Sequence, residues 1–465
     1  MKENLILDVD SYKSGHFLQY PPNTTKIFGY LEARLGSDYN HTLFFGLQYL
    51  LKQYLAGSVI TESDVEEAKI FFDKHGEPFP YEGWMKIANK YNGKLPIKIR
   101  AVKEGSVIPV SNVLLTVEST DPELFWLPGW LETQIMRLWY PITVATRSFE
   151  CKRVIKAALD QTADDPDAEL PFKLHDFGSR GVSSRESAGI GGMAHLVNFM
   201  GSDTCEGIVF ANRYYNNNQM SGFSIPAMEH STVTSWGKDF EIDAFKNMVV
   251  TSKGYNLIAC VSDSWDIYNA VENIWGTKEM VQFLEDHHKT VVIRPDSGDP
   301  LTVNTRILHI LDRKLGCITN INGYKVLPDC YRIIQGDGNN DEKDIERILN
   351  AIKHAGFSAS NIAFGMGGGL LQKLDRDTMR FAYKTSQITV DEQNRNVFKC
   401  PITDRSKISK SGRLDLVKFD GNYLTVRVDG NKPHEVSELV TVFENGNILK
   451  EYTLEEIHQK SNLAL

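Results

Sequence analysis

The stretches LIACVSDSWDIYNAVENIW, residues 257–275, and VVIRPDSGDPLTVNTRILHILDRKL, residues 291–315, decide the fold. Each opens as a short continuous apolar run, the pattern of a parallel strand buried on both faces. Each run ends in polar or charged residues, and a segment of helical apolar spacing follows. The pattern recurs on either side, with FKLHDFGSRG from Phe172, FSIPAMEHS from Phe223, YRIIQGDG from Tyr331 and NIAFGMGGG from Asn361. After the Tyr331 run, Asp341–His354 places Ile345, Ile348, Leu349 and Ile352 on one face. Strands alternating with helices build βαβ units on a parallel sheet. About six to seven units fit before Asp377, short of the eight of a complete barrel. The expectation is an α/β protein: an incomplete or distorted TIM-like barrel with an attached, mostly antiparallel β domain. Reactive side chains belong at the strand ends of such a sheet.

The texture differs outside this region. Thr25–Arg34 reads as a strand, Phe45–Leu55 as an amphipathic helix, and Ser63-Asp64-Val65-Glu66 as a capping box opening another helix. Leu95–Glu118 alternates apolar and polar residues as half-buried antiparallel strands do. Helical stretches are expected around Trp126–Trp139 and Val144–Leu159, and an exposed loop at Asp160–Glu169. Beyond Met379, turn signals at Asp420-Gly421-Asn422 and Glu444-Asn445-Gly446-Asn447 mark antiparallel hairpins. The expected organisation is three segments. Residues 1–150 are mixed α+β and pack with the C-terminal segment as a second domain; residues 151–378 form the barrel-like catalytic domain. Residues 379–465 form an antiparallel β segment that carries a basic loop.

The 465 residues are 42% hydrophobic and 24% charged, which is ordinary globular composition. A net charge of −9, from 51 basic and 60 acidic residues, argues against a nucleic-acid or anionic-membrane binder. One basic cluster breaks that average: Lys399, Arg405, Lys407, Lys410 and Arg413 accompany the single acid Asp404. The six cysteines are scattered without a CxxC, no apolar stretch approaches membrane-spanning length, and Asp8 and Asp10 interrupt any signal-peptide core. A cytoplasmic protein is expected.

The tips carry the chemistry. Asp337, between Gly336 and Gly338, suits ribose hydroxyls or a hydrated Mg²⁺, and equally suits an Asp-Gly turn. The glycines at 365 and 367–369 precede a helix expected near Leu370, which would offer backbone N–H groups to a phosphate, with Arg376 farther on. Arg294 and Asp296 either pair structurally or hold a phosphate and a sugar. His230 and Asp263 sit on separate tips, where a carboxylate can fix the imidazole tautomer and free the other nitrogen. Phe177 can stack a planar ring with Arg180 near its substituent, and Asp203 favours a ligand that donates hydrogen bonds. His175, His230, Asp263, Asp296 and Asp337 lack the spacing of a protein-only metal site, so no metal ligand is assigned.

Taken together, LDVDSYKSGHFLQYPPNT, FFGLQYLLKQYL, WYPITVATRS, KLHDFGSRGVSS, HLVNFMGSDT, IPAMEHSTVTSWGKD, VSDSWDIYNA, IRPDSGDPL, IQGDG and FGMGGGLLQKLDRD resemble the nicotinamide phosphoribosyltransferases, which are type II phosphoribosyltransferases. The resemblance runs nearly the whole chain in order. It implies a pentosyltransferase that converts nicotinamide and 5-phosphoribosyl-1-diphosphate to nicotinamide mononucleotide and diphosphate in NAD salvage. It also implies Mg²⁺, stimulation by ATP, and a homodimer with shared sites. By position, Phe177 and the partner subunit's Tyr12 would stack nicotinamide, Asp203 would accept from its carboxamide, and Arg180 would lie nearby. Arg294, Asp296, Gly336 and Asp337 would hold the ribose and 5′-phosphate, with Gly367 and Gly368 on the phosphate. His230 matches a histidine that ATP phosphorylates, and Asp263 its hydrogen-bonding acid. Arg34, Arg376, Lys384, Lys399 and Lys407 match residues around the diphosphate and ATP phosphates. One departure is Ala259, where vertebrate-type members carry a serine in the nicotinamide tunnel. The rival readings are a sister enzyme for nicotinate or quinolinate, and a non-catalytic binding protein on the same scaffold.

Overall fold

The computed structural model describes residues 4–216, 219–428 and 436–465. The chain divides into two compact units. One draws on the N-terminal residues through Thr146, a short piece from Arg213, and the C-terminal residues from Leu374; the other contains Arg147–Asn212 and the following residues up to Lys373.

The second unit is built on a parallel six-stranded sheet in the order Gly201–Ser202, Leu174–Asp176, Ile362–Met366, Tyr331–Gln335, Thr290–Arg294, Leu257–Val261. Five of the six expected runs are therefore strands, and all pair in parallel. The sixth is a correction. The run from Phe223 makes only isolated bridges, with Gly201 at one edge of the sheet and Ala259, through Ala227, at the other. Pro226 lies in its middle and has no N–H to donate to a ladder. The sheet is thus not a complete TIM barrel.

Outward-facing Ile258, Val291, Ile293 and Ile333 are fully buried. Helix Glu342–His354 buries the four apolar residues read from its spacing, each worth roughly 1.5–3 kcal/mol. Its N-terminus is capped by Asp341, which accepts from the N–H groups of Lys343 and Asp344. Helix Pro300–Leu315 is capped in the same way by Asp299. The inward residues Ala259, Val292 and Ile334 form a separate apolar cluster against Phe177, Ile225 and Ala363.

The first unit holds a seven-stranded antiparallel sheet, ordered Gln393–Asn396, Ala382–Val390, Thr24–Glu32, Val113–Ser119, Ile97–Ala101, Val440–Glu444, Asn447–Ile448. Its strands come from both ends of the sequence. The hairpin turns fall at Asp420-Gly421 and Asn445-Gly446, with φ of 47° and 79° in the first and 49° and 78° in the second. Both residues of each turn are left-handed, as tight hairpins with the native strand twist require. Other local expectations are corrected. The capping box is Thr61 with Asp64, so Ser63 lies inside helix Glu62–His75. Helix Leu47–Leu50 runs into a π-turn over Leu51–Leu55, and Pro166–Glu169 is a short helix rather than loop; the expected helix Val144–Leu159 is present, within the longer Trp139–Thr162.

Candidate active site

Ten of the expected residues line one cavity of about 850 Å³ at the carboxyl ends of the parallel strands: Phe177, Arg180, Asp203, His230, Arg294, Asp296, Gly336, Asp337, Gly367 and Gly368. Asp263 stands behind them. Its Oδ1 meets His230 Nε2 at 3.0 Å, while Oδ2 accepts from the Asp296 N–H at 3.0 Å and from the Ser297 hydroxyl. Burial alone would raise this carboxyl. The hydrogen bonds from Ser297, His230 and the Asp296 backbone overcome it and hold the group below its ordinary value. A carboxylate at Nε2 assigns the proton there, so the Nδ1 lone pair is the free one. Nδ1 lies 4.0 Å from Asp296 Oδ2, and the histidine side chain is 46% exposed.

Arg294 approaches Asp296 only to 4.0 Å, beyond hydrogen-bond range. Its buried Nε has no partner among the described residues. A closed structural ion pair therefore does not account for Arg294. Gly336 explains how the two side chains share the space, since a Cβ there would lie 2.8 Å from Asp296 Oδ1. Asp337-Gly338 does turn the chain, with Gly338 at φ 78°, and the Asp337 side also lines the cavity.

Phe177, Asp203 and Arg294 line a second, apolar cavity as well, of about 540 Å³, which runs along the inward cluster past Ile225, Ala259 and Val292. The Phe177 ring occupies the place a side chain at Gly365 would take: a Cβ there would lie 1.9 Å from ring Cε2. On the other side, the Ser224 hydroxyl donates to Asp203 Oδ1. The slot thus offers an aromatic face and an acceptor restrained in orientation.

The glycine-rich turn departs from expectation. The helix after it, Gly368–Leu371, has four residues, too short to gather a helix dipole. What it offers instead is open glycine backbone at Gly368 and the lysine at 373. Buried Arg147 donates to the carbonyls of Gly369 and Lys373 and fixes the turn's far side. Lys373, Asn339 and Asn340 also line the cavity and were missed in the sequence, where no spacing or motif singles them out.

In the first unit, Tyr12, Arg34, Arg376, Lys384 and Lys407 line another cavity, of about 750 Å³. Lys399 is outside that lining but acts on Lys384. Burial, then the neighbouring cations Arg34, Lys13 and Lys399, hold the Lys384 amine below its ordinary value against the pull of Glu132. Arg137 and Arg380, which the sequence reading passed over, also line it. Among the described residues no group of three or more His, Cys, Asp or Glu side chains converges on a metal position. No helix of the described residues is long and apolar enough to cross a membrane.

Comparison with known proteins accords with this geometry. Residues 172–447 match the nicotinate phosphoribosyltransferase (NAPRTase) family, and residues 4–99 match the nicotinamide phosphoribosyltransferase N-terminal domain. A nicotinamide phosphoribosyltransferase of Xanthomonas campestris is 48% identical over 99% of both chains. One from Mycoplasma pneumoniae is 32% identical over 88% of this chain and 95% of its own. Among solved structures, nicotinate-nucleotide pyrophosphorylase from Pyrococcus furiosus superposes with a TM-score of 0.62 at 16% identity, covering 100% of this chain and 96% of its own. Human nicotinic acid phosphoribosyltransferase gives 0.57 at 16% identity, covering 98% and 93%. The structures share the fold; the sequence identity, sustained from end to end, shows that the chain belongs to the nicotinamide phosphoribosyltransferase family.

Proposed function

We propose that this pentosyltransferase forms nicotinamide mononucleotide and diphosphate from nicotinamide and 5-phosphoribosyl-1-diphosphate in NAD salvage, and that ATP stimulates it through phosphorylation of His230. The observation that carries the substrate assignment is the slot where the two cavities meet. Phe177 supplies a ring face and Asp203 an acceptor for a carboxamide N–H; a carboxylate such as nicotinate would be repelled by Asp203.

The pyridine nitrogen of nicotinamide carries no proton, so its attack needs no general base. The protein's contribution is to hold the ring against the anomeric carbon and to stabilise the leaving diphosphate. Asp296 and Asp337 reach the ribose hydroxyls. Arg294, with its unpartnered Nε, and the Gly367–Gly368 backbone take the 5′-phosphate. Mg²⁺ keeps several waters and is held by one or two carboxylates plus substrate phosphates, so Asp296, Asp337 and the diphosphate fit it without a protein-only cage. When bound, it neutralises charge on the departing diphosphate.

For the ATP step, His230 Nε2 is tied to Asp263 and Nδ1 is the nucleophile. Its lone pair attacks the γ-phosphorus, ADP leaves, and the Asp263 carboxylate stabilises the positive imidazole while it lasts. Hydrolysis of the phosphorus–nitrogen bond returns the histidine. The phosphate-handling residues Arg34, Arg376, Lys384, Lys399 and Lys407, together with Tyr12, belong to the other unit. We assign them to a homodimer in which each site is completed by the partner.

The test is product formation from nicotinamide, nicotinate and quinolinate, each with and without ATP, for the native chain and for His230→Ala. Nicotinamide should be the preferred substrate, and ATP should accelerate only the native chain. His230→Ala should retain slow basal transfer without ATP hydrolysis. Undiminished ATP stimulation in His230→Ala would sink the phosphohistidine, and preference for an acid substrate would sink the slot assignment.

A further inference from the structure

Asp176 ends the strand Leu174–Asp176 beneath the nicotinamide slot and is completely buried. Its Oδ1 accepts from the Gly178 N–H at 2.7 Å, and its backbone carbonyl accepts from the Asp203 N–H at 2.9 Å. Between these two bonds Phe177 donates its own N–H to the Met366 carbonyl at 3.0 Å. One residue therefore ties the turn that carries the stacking ring to the loop that carries the carboxamide acceptor. Position 178 leaves no room for a side chain beside this bond, because a Cβ there would lie 2.9 Å from Asp176 Oδ1 and 2.5 Å from Leu371.

We propose that Asp176 is a positioning residue of the nicotinamide subsite, setting from below the spacing between the Phe177 ring and the Asp203 carboxylate. The inference rests on the assignment of those two residues to nicotinamide.

Packing alone would be served better by an apolar side chain, since a buried acid is costly wherever a bond is missing. Here one is missing: Asp176 Oδ2 and the Thr204 hydroxyl are both buried, and neither makes a hydrogen bond. Burial pushes the carboxyl up to about 7, with the charges of Asp203 and Glu206 adding to it; the Gly178 N–H works the other way, and the nearby Thr204 hydroxyl favours the carboxylate without reaching bonding geometry. Oδ1 accepts from Gly178 whether the group is neutral or charged. Ionisation above neutral pH, however, brings a third negative charge beside Asp203 and Glu206 and loads the slot.

The experiment measures kcat and KM for nicotinamide and for 5-phosphoribosyl-1-diphosphate in the native chain, Asp176→Leu, Asp176→Asn and, as control, Phe177→Ala. Asp176→Leu should raise the KM for nicotinamide about tenfold with the other KM changed less than about twofold. At about pH 6.5 Asp176→Asn, which keeps the acceptor, should stay within about twofold of native. In the native chain the KM for nicotinamide should climb several-fold from about pH 6.5 to about pH 8.5, and in Asp176→Asn that climb should disappear. A native KM in Asp176→Leu, equal rises in both KM values, or Asp176→Asn as impaired as Asp176→Leu each overturn the inference. If Asp176→Leu does not fold, an Asp176→Asn pH profile superimposable on the native one overturns it. If Phe177→Ala leaves the KM for nicotinamide unchanged, the subsite assignment itself has failed, and the inference goes with it.

Discussion

Replacing Gly365 with alanine tests the nicotinamide slot without touching any group assigned to bind. A Cβ at this position falls 1.9 Å from Phe177 Cε2, 2.3 Å from Cδ2 and 2.8 Å from Cζ. Carbon atoms in contact settle near ~3.5 Å, so the ring must withdraw by roughly 1.6 Å. Phe177 is only partly buried and borders both cavities, so it yields into open space rather than breaking the sheet. Ring stacking is worth about 0.5–1.5 kcal/mol beyond buried area, which is about a two- to twelvefold loss of affinity.

The assay is initial rate against nicotinamide at saturating 5-phosphoribosyl-1-diphosphate. Gly365→Ala should raise the KM for nicotinamide within that range and leave the other KM unchanged. The decisive comparison is a double-mutant cycle. In a Phe177→Ala background no ring remains to be displaced, so Gly365→Ala should add little. If its effect is instead the same in both backgrounds, the damage does not pass through Phe177, and the proposed slot geometry is wrong.

Three further outcomes are expected. Asp203→Asn removes a charge-assisted acceptor worth about 1.5–3 kcal/mol, so the preference for nicotinamide over nicotinate in kcat/KM should fall roughly ten- to a hundredfold; an unchanged ratio counts against Asp203 as the discriminator. Tyr12→Ala and Phe177→Ala subunits, each impaired on its own, should recover part of the lost activity when mixed and verified as heterodimers, and no recovery argues against sites shared between chains. Burial holds His195 down to about 3, with Nε2 bonded to the Gly201 carbonyl and Nδ1 to the Ser148 hydroxyl. Its folded value lies below the ordinary one, so it contributes stability that is complete above about pH 6.5 and lost as the pH falls toward about 3, by a few kcal/mol. The Tm of His195→Gln should therefore drop less steeply with acid than that of the native chain; parallel curves would refute the assignment.

The parallel sheet was legible because strands buried on both faces leave continuous apolar runs, as at Leu257, Val291 and Tyr331. Gly201–Ser202 left none, being two residues long, and pairing alone makes it a strand. The Phe223 run had the apolar content of a strand, but Pro226 keeps it to isolated bridges. The capping box was ambiguous locally, since Thr61 and Ser63 each precede an acid by three residues, and the structure takes the earlier. A similar box at Thr453 and Glu456 opens the C-terminal helix Leu454–Asn462, which the reading passed over. The site residues were legible as tips and by resemblance. Their support was not: no local pattern links Gly365 to the Phe177 ring or Asp176 to the Asp203 N–H, because these contacts join strands far apart in sequence.

Charge distinguishes the two cavities that the proposed reaction would use. The polar cavity of the parallel unit presents Arg180, Arg294 and Lys373 against Asp203, Glu229, Asp296 and Asp337. A diphosphate-bearing sugar phosphate entering it meets more acid than base, and in a partly dehydrated cleft that imbalance costs far more than in water. The cavity of the other unit has the opposite balance: Arg34, Arg137, Arg376, Arg380, Lys384 and Lys407 against Asp10, Glu132 and Asp377. Its buried Arg34 Nη2 has no partner among the described residues. The acids of the first cavity suit ribose hydroxyls and an Mg²⁺–diphosphate complex, whereas the cations of the second suit free phosphate oxygens. The homodimer proposed above would let both sets act on one substrate. On that reading, neutralising Arg34 or Arg376 should raise the KM for 5-phosphoribosyl-1-diphosphate, more steeply at low salt, and leave that for nicotinamide unchanged; the reverse pattern would detach the second cavity from catalysis.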